Sequence, residues 1–197
     1  MAPPFLPVPP VARNAILGPF LPGSSKMKFI FSARAPGVPL DHLRGNTGGE
    51  ARSHSEILDF EGDGSGIQFV SGDSVYAGPF YNHFGHQVAE GIHRLWALSA
   101  SDSLAGAKVV FQVRAGKRYE LPHWFKEVIS LCGVDEQQVL LLSEPHMFER
   151  LHVPPQGRLL GGMTPLHGYD SVFPLVTVRP DRSLPHVYLS RSKHLHT

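Results

Sequence analysis

The hydrophobic pattern divides the chain into three stretches. From Met1 to Gly23, prolines stand at 3, 4, 7, 9, 10, 19 and 22. That density breaks helices and central strands, and predicts an extended or polyproline arm over residues 1–23. Residues 24–72 read as loop and short strands: 24–56 carry one apolar run at Lys28–Phe31, then a polar, glycine-bearing loop. Two short strand candidates, Ile57–Phe60 and Ile67–Val70, flank the turn cluster Glu61–Gly66. Regular patterning starts at Asp73. Ser74–Phe80 reads as a strand closed by Gly78-Pro79, and Asn82 stands at the N-cap of a helix expected to run to about Ala100. Lys108–Val113 reads as a strand buried on both faces. Pro122 opens a second helix with Trp124, Phe125, Val128, Ile129 and Cys132 on one stripe, and Gly133 closes it. Val139–Leu142 is the next strand. The order strand–helix–strand–helix–strand predicts a parallel α/β layer. Beyond Ser143 prolines return, with strand candidates at Arg150–Val153, Val172–Val178 and His186–Ser190.

Chemistry concentrates in Tyr81–Leu98. At 100° per residue with His83 as zero, Glu90 falls at about −20°, Arg94 at about +20° and His86 at about −60°. Phe84, Val88, Ile92 and Leu95 take the opposite side, so an amphipathic helix would carry imidazoles, a carboxylate and a guanidinium on one stripe. A helix N-terminus following a strand lies at the carboxyl edge of the sheet, a position that favours anionic ligands. The loop after the next strand brings Arg114, Lys117 and Arg118 to the same edge. The bland alternatives are a solvated helix face, an intrahelical Glu90–Arg94 pair and solvated loop charges. His83, His86 and Glu90 could also be read as metal ligands, although the i, i+4 pair is the better two-histidine helical spacing.

Composition narrows the classes. The chain has 197 residues, with 18 Lys and Arg against 17 Asp and Glu, a net charge of +1. That balance argues against a nucleic-acid binder. A single cysteine, Cys132, excludes an intramolecular disulfide framework and fits a reducing compartment. No apolar run is long enough for a membrane span, and the N-terminus lacks a signal-peptide pattern, so a cytoplasmic protein is expected. No G-x-S-x-G elbow or phosphate-binding glycine motif occurs.

Gly78-Pro79, then Asn82-His83-Phe84-Gly85-His86, Glu90 and Arg94-Leu95-Trp96 resemble the family 61 glycosyltransferases, closest to the bacterial capsular polysaccharide biosynthesis type. Val109–Val113, Leu121–Gly133 and Tyr188–Arg191 (YLSR) are similar to later family segments in the same order, so the likeness covers roughly Ser74–Ser192. The resemblance implies a Rossmann-like, mostly parallel sheet over residues 73–197, similar to the N-terminal lobe of a GT-B glycosyltransferase. It implies transfer of a sugar from a nucleotide-sugar donor to a hydroxyl of a glycan acceptor, with inversion. A general base takes the acceptor proton while cations neutralise the leaving diphosphate.

By that likeness His83, His86 and Glu90 are the catalytic candidates, with the choice of base open. Asn82, Arg94, Arg114, Lys117 and Arg118 are substrate-binding candidates, and Arg191 and Lys193 face the donor diphosphate. GT-B enzymes generally need no bound divalent metal, so neither a metal nor another cofactor is expected. Family members continue into a second lobe past the YLSR strand, so this chain is expected to be weakly active or inactive alone and to self-associate through the surface meant for that lobe. The rival readings are a non-catalytic carbohydrate- or protein-binding module and a metal-dependent hydrolase using His83, His86 and Glu90.

Overall fold

The computed structural model describes residues 8–22, 29–43, 55–58, 60 and 65–156. Within the region expected as a proline-rich arm, Val11–Pro22 is extended, as its composition implies, but it is paired. β1 (Val11–Pro22) lies between β2 (Phe29–Arg34) and β7 (His146–His152), antiparallel to both. The expectation that prolines exclude a central strand fails because of where they fall. Pro9 and Pro10 precede β1, Pro22 ends it, and Pro19 lies where the β1–β2 register shifts between Leu17 and Phe20. The proline-free run Val11–Gly18 keeps all its N–H donors and buries Ala12, Ala15, Ile16 and Leu17.

β3 (Ser55–Leu58) pairs with β2; β4 (Gln68–Pro79), β5 (Lys108–Gln112) and β6 (Val139–Leu142) complete a seven-stranded sheet of order β3-β2-β1-β7-β4-β5-β6. Four of its six strand pairings are parallel. The result is a mixed, mostly parallel sheet with few helices, compatible with an α/β fold. β4 starts earlier than the pattern suggested and holds its length by bulging. Gly72 (φ 79°) and Gly78 (φ 97°) take left-handed conformations where its registers with β7 and β5 shift.

The sheet curls strongly. Phe20 N–H donates to Val113 O (3.0 Å) and Ala115 N–H to Phe20 O (2.8 Å), so the end of β1 meets the end of β5 although β7 and β4 separate them in strand order. The curled face is filled by its own side chains: Ala12, Leu17, Tyr76, Val110, Leu142, Phe148 and Leu151 form one cluster, closed by Val38 and Leu43. Tyr76 bridges its polar interior, its single hydroxyl proton lying between Gln112 Oε1 (2.6 Å) and Leu43 O (2.9 Å). The opposite face carries the helical segments over Val75, Ala77, Val109, Phe111 and Val113. Side chains that alternate in direction along β4 and β5 and are buried on both sides thus feed two cores from one pair of strands.

α2 (His123–Leu131) follows the expected stripe, burying Phe125 and Ile129, with Cys132 behind them. Pro122 is its N-cap rather than its first helical residue, and Gly133 ends it at φ 78°. The expected helix over Asn82–Ala100 is instead broken. α1 (Phe84–His86) passes into a π-turn (Gln87–Gly91), then a 3-10 turn (Leu95–Ser99). Every position from Gly91 to Ala97 is buried, which no one-sided amphipathic helix can satisfy. Among the described residues no helix is long and apolar enough to cross a membrane. The strand candidates at Val172–Val178 and His186–Ser190 lie outside the described residues.

Candidate functional site

Two loops leave the carboxyl ends of neighbouring parallel strands. Pro79 and Gln112 are register partners at the ends of β4 and β5, and Phe80 N–H donates to Gln112 O (2.8 Å). The loop after β4 carries Tyr81, Asn82 and His83 into α1; the loop after β5 carries Arg114, Lys117 and Arg118. Aromatic packing ties them together: the Phe80 ring lies 5.8 Å from Tyr119 and 5.0 Å from Phe125, and Phe84 meets Trp124 edge-on at 5.4 Å. The polar edge expected from strand order is therefore present, assembled by a shared aromatic base.

Asn82 is exposed at φ 47°, a left-handed conformation that asparagine tolerates better than most residues. It is not the N-cap. His83 fills that place with extended backbone, and its Nδ1 accepts the His86 N–H at 3.3 Å. In the neutral ring an accepting Nδ1 requires the proton on Nε2, so His83 presents an N–H donor. The two exposed imidazoles lie 4.8 Å apart by ring centroid, with Tyr81 6.1 Å from His86. The His86 ring has no hydrogen-bond partner among the described residues, so a lone pair on it is free. α1 has only three residues. The helix-dipole argument for anion binding here falls, because so short a helix aligns too few peptide dipoles.

Arg94 does not join them. It is 2% exposed, inside the molecule. Its guanidinium lies over the Tyr76 ring at 5.3 Å and donates to His42 O (2.9 Å) and Gln156 Oε1 (3.4 Å). Burial lowers its pKa from the usual arginine value and raises that of Tyr76, with their mutual coulombic interaction opposing both shifts. Arg94 is a structural cross-link between β4, the Leu40–Leu43 turn and the segment after β7. The π-turn and the buried run Gly91–Ala97 rotate it away from the stripe on which 3.6-residue periodicity placed it. The backbone of Glu90 lies in the π-turn; its side chain, and Arg191 and Lys193, lie outside the described positions. Arg114, Lys117 and Arg118 are exposed and without an ion-pair partner among the described residues. Among the described residues no group of three or more His, Cys, Asp or Glu could hold a metal ion.

Periodicity missed two features. Phe84, expected in the core, is 57% exposed beside Trp124 and puts an aromatic ring between the two histidines in sequence. Asp73 accepts both arms of Arg150 (2.8 and 3.1 Å) and pairs with His152 Nε2 (2.8 Å). These partners lie more than seventy residues apart and meet only through β4–β7 pairing, so no local motif could announce them. Comparison of the chain with protein-family models, with curated proteins and with solved structures finds no match in any of the three.

Proposed function

We propose that this chain takes part in sugar transfer, its β4–β5–β6 layer serving as the acceptor-side, Rossmann-like lobe of an inverting GT-B-type glycosyltransferase. The observation that carries the reading is the exposed His83–His86 pair at the carboxyl edge of β4. Its two rings are chemically unequal, since His83 offers Nε2–H and His86 a free lone pair. Inversion needs such a division. His86 takes the proton of the acceptor hydroxyl as its oxygen bonds the anomeric carbon. The bond from that carbon to the diphosphate oxygen breaks, and the electron pair leaves with the phosphate. His83 donates a hydrogen bond that orients the acceptor. Arg114, Lys117 and Arg118 on the adjoining loop supply positive charge for the departing diphosphate. Their exposure, with no ion-pair partner among the described residues, supports that role. Arg94 has no direct part.

A second reading, carbohydrate binding without transfer, draws on exposed Phe84 beside Trp124, whose apolar ring faces suit the C–H faces of a sugar.

A thermal-shift panel with UDP-, GDP-, CMP- and dTDP-sugars, each with and without chelator, tests the first reading. A ligand at 100 times its Kd adds about 2.7 kcal/mol. A chelator-insensitive shift with one nucleotide class, weakened in Arg118→Ala, supports donor binding. No shift with any nucleotide, in a chain that melts cooperatively, rejects donor binding by this chain. A shift produced by glycans alone, lost in Phe84→Ala, favours the second reading.

A further inference from the structure

Gln87 is fully buried at the start of the π-turn, and it reaches both sides of the loop that carries the histidines. Its N–H donates to His83 O (2.9 Å), and its carbonyl accepts the Ile92 N–H (3.1 Å), the five-residue bond that makes the π-turn. Its side-chain Oε1 accepts the Tyr81 N–H at 3.0 Å. Fixing Oε1 on Tyr81 aims Nε2 at Gly91, where a Cβ would lie 2.1 Å from that nitrogen. Nε2 has no hydrogen-bond partner among the described residues.

A methionine or leucine would fill the same volume without stranding a donor. A glutamate could accept the Tyr81 N–H, but only by burying a charge or a second unpaired oxygen. The amide is a poor way to stabilise this core and a good way to hold Tyr81. From Tyr81 the backbone runs through the left-handed Asn82 to the extended His83, whose Nδ1 accepts the His86 N–H. Turns of this kind inside helices recur at functional sites.

We infer that Gln87, seated on Gly91, is the positioning residue of the His83–His86 pair, setting which nitrogen of His83 carries its proton; its role in transfer rests on the function proposed above. Ring 15N correlation spectra and amide exchange on the full chain test it. In the wild-type protein, the Tyr81 amide exchanges at least about tenfold more slowly than an unprotected loop amide, and His83 shows the Nε2–H pattern. In Gln87→Met and Gly91→Ala, Tyr81 protection is lost and His83 shifts toward mixed tautomers. Gly106→Ala, whose Cβ would meet nothing within 4 Å, changes neither.

An unprotected Tyr81 amide in the wild-type chain overturns the inference. So does an unchanged His83 pattern in folded Gln87→Met and Gly91→Ala. Should both variants fail to fold, the wild-type exchange and tautomer decide alone. No readout involves a sugar, so a failed nucleotide-sugar panel with these signatures intact would reject the proposed function and leave the positioning role standing.

Discussion

Asp73 is held by a two-armed arginine and an imidazole, and its carboxyl is lowered to about 2, first by the Arg150 hydrogen bond and then by His152. Because the folded value lies below the unfolded one, the stabilisation is fully present above the ordinary carboxylate range. It is lost as pH falls toward 2. With a quarter of the Asp73 side chain exposed to screening solvent, about 1 kcal/mol is expected. Urea midpoints taken between pH 5 and pH 2 should therefore fall more steeply for the wild-type chain than for Asp73→Asn; parallel slopes would mean that the cluster carries no net stability. Cys132 gives a second residue-scale test. Burial pushes its thiol up to about 12. It should resist alkylation at pH 8 in the folded chain and react promptly in denaturant; rapid labelling of the native protein would contradict its placement.

At the scale of elements, the segment after β4 separates what periodicity can and cannot disclose. The wheel correctly set Ile92 and Leu95 inside, because a core position is apolar whatever the winding of the turn. It misplaced Arg94, because a π-turn adds a residue to one turn and rotates everything beyond it; Phe84 precedes that turn, in a helix of only three residues that has no buried face. A glutamine four residues before a glycine was the one local hint, and it is weak without coordinates. Arg94 and Arg118 should consequently respond in opposite ways. Arg94→Ala removes the hydrogen bonds to His42 O and Gln156 Oε1 and opens a cavity, costing about 3 kcal/mol in chemical denaturation. Arg118→Ala, at an exposed loop position, should stay within about 0.5 kcal/mol. Equal effects would refute the assignment of one as cross-link and the other as surface cation. Gly78→Ala forces a Cβ to 2.9 Å from Arg94 Nη1 at φ 97°, and at least about 1 kcal/mol of lost stability is expected.

For the whole molecule, the most consequential element is the strand that composition disguised. β1 joins β2 to β7 and supplies Ala12, Ala15 and Leu17 to the curled core. Removing residues 1–22 should abolish cooperative unfolding, whereas trimming a free arm would leave the melting curve intact. Amides of Ala15 to Leu17 should be among the slowest to exchange.

What the chain alone determined was local: β5, α2 and β6 within a residue or two, the continuous apolar run that buries β5 on both faces, and two loops opening at one carboxyl edge. Those depend on spacing and on turn residues close in sequence. Only the tertiary structure decided that a proline-rich segment becomes a central strand, that Arg94 turns inward, and that Asp73 meets Arg150 and His152. Each depends on partners tens of residues away, which no local window of the sequence contains and whose pairing overrides local preferences.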